Sequence, residues 1–375
     1  MDIIRKVKRL FITPAGVTFL FLVVVNLILL SSVNWDPLAM IRIGTRFSQG
    51  DPNGTEGYDG QFVYYIARDL TPSIVAPHLD DPPYRYQRIL LSLLVRLLTL
   101  GYLQAFPWAM IALGIISQTL GTWVVSELLS TWGIKPWYAL TYGLWVGFLL
   151  CVQLGLPEPL AYGLAAGGIM ASDKGHRKLG WLLYGLAIFA KETTVLFLAA
   201  QLLSDLLRRQ WKSVLGLGMV GVFPWIIFQG WLWLTFGRPG LGIGGNTASP
   251  FEILPYMGLW RIGGYSLGLL LTWTIIFGPT VVLPSAWGIL ASVRKLITRD
   301  FHITTIGLFL NGLMIITAPF AVFREPLGLL RYAGGFVLGG LLFASKYHQT
   351  RALNILSILW LAMNAFFVKL FIPGS

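Results

Sequence analysis

Asp59 stands two residues ahead of Gln61-Phe62-Val63-Tyr64-Tyr65-Ile66-Ala67-Arg68-Asp69, a run whose Phe62, Tyr65 and Ile66, with Leu70 beyond, fall near one helical face. An aspartate at a helix start can accept bonds from the amides of the first turn. It can also act as a general base at the boundary between water and an apolar face, taking a proton from an incoming hydroxyl. The two roles can coexist, and Trp35-Asp36 is a rival base nearer the first apolar segment. Further on, Pro82-Pro83-Tyr84-Arg85-Tyr86-Gln87-Arg88 places Arg85 and Arg88 three apart, on one face of any helix there. Two guanidiniums so placed, with Tyr84 and Tyr86 beside them, suit a lipid phosphate; the plainer account is that juxtamembrane arginines snorkel to headgroups. Glu158 lies between Pro157 and Pro159, where a carboxylate favours a helix start. Lys191 and Glu192 interrupt an apolar segment, as a structural ion pair or as a functional one.

Other chemistries find little support. Cys151 is alone in an apolar run, so no disulfide or thiolate metal site forms within the chain. Asp80 and Asp81 are adjacent rather than spaced as D-x-D, and His78, His176, His302 and His348 are scattered. Neither a glycine-rich phosphate loop with its lysine nor a nucleophile elbow is present. No cofactor is expected; a divalent metal is left open.

Positioning these groups falls to a chain of 375 residues, 55% hydrophobic and 12% charged, with a mean hydropathy of +0.70. Soluble domains carry about twice that share of charge, so lipid is the expected solvent. The net charge of +12 then follows from basic residues retained in cytoplasmic loops and needs no nucleic-acid partner. Apolar stretches at 11–31, 106–128, 137–156, 158–172, 179–207, 214–236, 264–291, 302–322, 328–345 and 353–372 predict an all-α, polytopic transmembrane protein of about ten or eleven passes. It reads as a single domain over 1–375: a retained first helix, an extracytoplasmic loop over 32–105 with interfacial helices, and the remaining helices over 106–372. Arg5, Lys6, Lys8 and Arg9 place the N-terminus inside.

The segment 179–207 would run about 43 Å as one helix, against a hydrocarbon core of about 30 Å. It would also bury Lys191 and Glu192 at about 3 kcal/mol each and carry Arg208, Arg209 and Lys212 outside. Two short helices meeting at Lys191-Glu192-Thr193 remove all three problems and place the tip in a polar cavity beneath the outer surface. Lysine is then nearly absent from the outer segments, whereas arginine (Arg42, Arg46, Arg68, Arg85, Arg88, Arg96, Arg238, Arg261, Arg324, Arg331) is retained there. Arginine is the cation suited to bidentate phosphate contact; loop solubility is the alternative account.

The run Gly57-Tyr58-Asp59-Gly60-Gln61-Phe62-Val63-Tyr64-Tyr65-Ile66-Ala67 after a first transmembrane helix resembles the C-type superfamily of integral membrane glycosyltransferases. So do the Tyr84 to Arg88 block entering Leu90-Leu91-Ser92-Leu93-Leu94, the Pro-Glu-Pro hairpin and Ala190-Lys191-Glu192-Thr193. Within it the chain looks most like bacterial proteins of cell-surface glycopolymer formation, which are similar to the second mannosyltransferase of glycosylphosphatidylinositol assembly. The likeness covers about residues 10–200, the remainder by hydropathy alone. It implies inverting transfer of a sugar from a polyprenyl-phosphate carrier to the hydroxyl of a glycan or lipid acceptor outside the cytoplasm, at the plasma (inner) membrane. On that likeness Asp59 is the catalytic base, Arg85 and Arg88 hold the donor phosphate, and Tyr58, Gln61, Tyr84, Glu158, Lys191, Glu192 and Arg331 line the cavity. Mannosyltransferase relatives usually carry Trp before the aspartate and His after it, where this chain has Tyr58 and Gln61, which leaves the acceptor open. The alternative is a carrier or flippase that binds the same phosphate without breaking a bond.

Overall fold

The computed structural model describes residues 12–242, 244–245 and 248–366; the basic cluster Arg5 to Arg9, used above for orientation, lies outside them. Every regular element among the described residues is a helix. α1 (Pro14–Ser32) starts with proline in its first turn, and the Thr13 hydroxyl accepts from the Gly16 amide at 3.0 Å. The long loop after it carries α2 (Gly60–Arg68), α3 (Pro82–Tyr86) and α4 (Ile89–Leu98). There follow α5 (Phe106–Thr131), α6 (Val146–Gln153), α7 (Glu158–Asp173), α8 (Arg177–Ala190), α9 (Val195–Leu207), α10 (Trp211–Phe236) and α11 (Leu267–Ile297). The chain closes with α12 (Ile303–Ile316), α13 (Pro326–Tyr332), α14 (Gly334–Lys346) and α15 (Thr350–Phe366).

By length and apolarity, four helices can cross a membrane: α1, α5 with the turn before it, α10 and α11. The pair α13 and α14, bent by 40° at its break, makes a fifth. This is the pattern of a multi-pass membrane protein, with fewer full-length helices than the expected ten or eleven. Hydropathy does not register backbone breaks. The stretch 137–156 is cut into Pro136–Ala139, Leu140–Gly143 and α6, and beside the break the Trp145 indole donates to the Leu330 carbonyl at 3.0 Å. The stretch 302–322 likewise divides into α12 and Phe320–Arg324.

The expected hairpin at Lys191 is present. Lys191 leaves the helical region at φ −155°, Glu192–Thr194 forms a tight turn, and the chain reverses. Seventeen residues of continuous helix would span about 25 Å, yet the Tyr184 hydroxyl donates to Gln201 Oε1 at 3.3 Å, so α8 and α9 lie side by side. α7 packs against α5 through small residues: a Cβ on Gly163 would sit 3.3 Å from the Ser117 carbonyl oxygen and 3.5 Å from the Gly121 Cα. Small faces allow helices in an apolar medium to approach closely and gain dispersion contact.

α10 and α11 each contain one wide turn, Gly218–Val222 and Gly278–Val282. Both run into a proline, Pro224 or Pro284. Proline lacks the amide that would bond four residues back, and a wide turn absorbs the defect. In α11 the carbonyl so released, that of Thr280, accepts the Trp360 indole of α15 at 2.8 Å, so a helical irregularity becomes an interhelical tie.

α7 is about 24 Å long and separates two polar ends. At its C-terminal end Asp173 accepts the Trp132 indole at 3.1 Å and lies 3.8 Å from Lys346. Tyr347 donates to Asp300 at 2.7 Å, and Ser204 to the Phe301 carbonyl at 2.7 Å. The loops expected to face the cytoplasm therefore gather at one end. At the other end stands Glu158, with the loop over 32–105.

Candidate functional site

Gly60 decides where Asp59 can be. A Cβ at this position would lie 2.0 Å from the Leu154 carbonyl oxygen, so only glycine lets the first turn of α2 press against the turn that leads to Glu158. The preceding chain is fixed by the Tyr58 amide, which donates to the Arg42 carbonyl at 2.8 Å, and by Gly57 at φ +68°. α4 holds the far side of α2: Ser92 donates to the Val63 carbonyl at 3.0 Å, and Arg96 Nη1 to the carbonyls of Ala67 and Arg68 at 3.0 and 2.9 Å. Arg96, which breaks the apolar run of α4, thus closes the last turn of α2.

Gln61 does not line the cavity as expected. Its Oε1 accepts the Gly44 amide at 3.0 Å and its Nε2 donates to the Glu56 carbonyl at 2.7 Å, which braces the long loop. The likeness that put Gln61 in the cavity does not register the loop folded over it. Asp36, the rival base, accepts from the Leu38 amide at 2.9 Å and caps Pro37–Ile41. Asp59 makes no capping bond.

Both carboxylate oxygens of Asp59 meet guanidiniums instead. Arg85 Nη2 lies 3.0 Å from Oδ1, and Arg331 Nη1 2.9 Å from Oδ2. Each guanidinium is itself gripped by a second carboxylate. Arg85 places Nε and Nη2 on the two oxygens of Asp80 at 2.7 and 2.8 Å. Arg88 does the same with Glu192 at 2.7 and 2.6 Å, and also donates to the Tyr84 hydroxyl. Arg331 places Nε and Nη2 on Glu158 Oε1, each at 2.8 Å, and its Nη1 also donates to the Tyr58 hydroxyl at 3.0 Å. Lys191 Nζ completes the group, 2.7 Å from the same Glu158 oxygen. Tyr162 and Thr193 share a hydrogen bond of 3.0 Å that holds the hairpin tip.

The long loop, the start of α7, the α8–α9 tip and α13 therefore meet at one point. Tyr58, Asp59, Tyr84, Arg85, Arg88, Glu158, Lys191, Glu192 and Arg331, all anticipated as site residues, belong to one network. Asp80 was not anticipated in this role. It was weighed only as a metal ligand and set aside because it adjoins Asp81, yet five residues before Arg85 it was in reach across the turn that begins α3. Asp81 caps that helix, accepting from the Tyr84 amide at 3.3 Å, and meets Arg238 at 2.9 Å. Among the described residues no three His, Cys, Asp or Glu side chains gather to hold a metal ion.

The electrostatics are closed. Four cations (Arg85, Arg88, Lys191, Arg331) face four carboxylates (Asp59, Asp80, Glu158, Glu192). Burial alone would raise the Asp59 carboxyl, but Arg85 and Arg331, with Arg88 and Lys191 behind them, outweigh it and hold the group well below the usual carboxylate range. A carboxylate so stabilised is a weak base until a guanidinium turns elsewhere. Asp59, Arg85, Arg88 and Arg331, with Leu156 and Pro157, line a cavity of about 10 Å³, room for about one water molecule. The chain matches no family model, no curated protein and no solved structure.

Proposed function

We propose that the chain is an inverting glycosyltransferase of the C-type superfamily, acting from the plasma (inner) membrane on a polyprenyl-phosphate-linked sugar. The polar end that carries Asp59 faces away from the cytoplasm. The observation that carries this reading is the convergence of guanidiniums on one carboxylate, at one end of an apolar helical bundle, from segments as far apart as residues 59 and 331. Asp59 accepts the proton of the acceptor hydroxyl as that oxygen attacks the anomeric carbon. The bond from that carbon to the phosphate oxygen breaks, its electron pair leaves with the carrier phosphate, and the configuration inverts. Arginines supply the positive charge that the leaving phosphate requires. Arg85 and Arg88 face the phosphate, Arg331 stands across Asp59 from Arg85, and Glu158 and Lys191 hold the wall between donor and acceptor.

Vesicles containing the protein and a labelled polyprenyl-phosphate sugar test this reading. The enzyme releases free carrier and a glycosylated acceptor, and Asp59→Asn abolishes that release while the variant still folds. A flippase instead changes only the sidedness of the intact donor, and turnover retained in Asp59→Asn removes the base from its role. The acceptor belongs to cell-surface glycan assembly, where mass spectrometry of cell-surface glycan with and without the gene identifies it.

A further inference from the structure

The three arginines are built alike. Each has its Nε and Nη2 side clamped by a carboxylate of its own, Arg85 by Asp80, Arg88 by Glu192 and Arg331 by Glu158. The clamps fix the guanidiniums in place, and their side chains are less than one tenth exposed. Arg85, through the same Nη2, and Arg331, through Nη1, also meet at one point, and Asp59 occupies it. The Asp59 side chain is the loosest member: 27% exposed, free of capping bonds, and held at its two oxygens by those two arginines. Two guanidiniums aimed at two oxygens of one small anion form the donor array that also grips phosphate.

Building on the transferase reading, we infer that Asp59 is a resident stand-in for the phosphate of the donor. The phosphate oxyanion takes the Asp59 position between Arg85 and Arg331, and Asp59 is expelled toward the acceptor. Its own residues already balance the site's charge, so an arriving anion succeeds by replacing a carboxylate rather than by adding to it. An unpaired buried anion beside the phosphate would be costly, which drives the carboxylate outward. The exchange also changes its chemistry: stripped of its guanidiniums, Asp59 recovers the basicity that the closed site withholds. Donor binding and activation of the base thereby become one event, and a water molecule that enters without donor meets no usable base.

The test is affinity for farnesyl phosphate and for inorganic phosphate, with farnesol as control, by calorimetry on detergent-purified wild type and Asp59→Asn. With the competing carboxylate neutralised, the variant binds farnesyl phosphate at least tenfold more tightly, while farnesol is unaffected. A parallel gain for inorganic phosphate assigns the site to the oxyanion itself, and a gain confined to farnesyl phosphate assigns it to the lipid headgroup. Equal or weaker binding by Asp59→Asn overturns the inference. A second measurement needs no variant: carbodiimide labelling of the Asp59 carboxyl in wild type, read by peptide mass spectrometry, rises when farnesyl phosphate is added. Unchanged or reduced labelling overturns it equally. Tighter binding in Asp59→Asn without sugar transfer by wild type from any donor would sink the transferase reading and leave the oxyanion exchange standing. Transfer without the gain in affinity would sink the exchange alone.

Discussion

Replacing Glu158 by glutamine tests whether the network is held together as a charge pair. Glu158 is fully buried, and one of its oxygens accepts from Lys191 at 2.7 Å and twice from Arg331 at 2.8 Å. Glutamine keeps the shape and removes the charge. Arg331 retains Asp59 as a partner, whereas Lys191 has no other carboxylate within ion-pair distance among the described residues. Removing one member of a buried pair typically costs about 3–5 kcal/mol, because the other charge stays buried. For a chain of this size that corresponds to a fall in melting temperature on the order of 5 °C. The double variant Glu158→Gln/Lys191→Met removes both charges and should recover roughly half of the loss or more. Thermal unfolding in detergent, followed by tryptophan fluorescence for wild type, both single variants and the double, gives the coupling energy. A single-variant loss under about 1 kcal/mol, or strict additivity, would refute the claim that Glu158 and Lys191 act as one buried unit.

Further expectations come from other parts of the fold. Trp360→Phe deletes the bond to the Thr280 carbonyl and should cost about 1–3 kcal/mol in the same assay; an unchanged melting temperature would mean that the released carbonyl has another partner. Gly60→Ala drives a methyl group into the Leu154 carbonyl oxygen, so stability should drop by about 3 kcal/mol or more and transfer should fail with it, whereas full activity would show that α2 need not touch that turn. Burial, helped by Lys346 and Arg208, pushes His302 down to about 4, and its Nδ1 accepts from the Thr304 amide at 3.2 Å as the cap of α12. The unfolded imidazole, near 6.5, takes up a proton first, so stability is complete above about pH 6.5 and falls toward pH 4. His302→Gln should flatten that limb of a melting-temperature profile measured between pH 5 and 7, and an unaltered slope would exclude His302 as its source.

Much of the site was legible because membrane burial makes charge expensive. Lys191 and Glu192 stood out in an apolar segment too long for one crossing, and the same argument gave the hairpin that brings Lys191 to Glu158 and Glu192 to Arg88. Proline marked the hairpin at Pro157 and Pro159. What escaped was pairing at long range: nothing local to Arg88 indicates Glu192, 104 residues away, and nothing local to Arg331 indicates Asp59. The family likeness also misplaced Gln61, whose partners Gly44 and Glu56 come from a loop without periodicity. The count of passes also exceeds the four or five helices long and apolar enough to cross, since hydropathy averages over breaks such as the one before Trp145, whose indole bonds across the bundle to the Leu330 carbonyl.

The glycine contact between α5 and α7 sets which half of the site can give way. With backbones this close, there is no flexible side chain to compress, and Glu158 at the start of α7 rests on an anvil, with Arg331 and Lys191 bolted to it. The opposing half, Asp59 and Arg85, hangs from turns and short helices. A ligand larger than water is therefore expected to widen the site on the loop side, over residues 32–105. Fluorophores on that loop should report substrate entry, whereas a pair bridging α5 and α7 should stay silent.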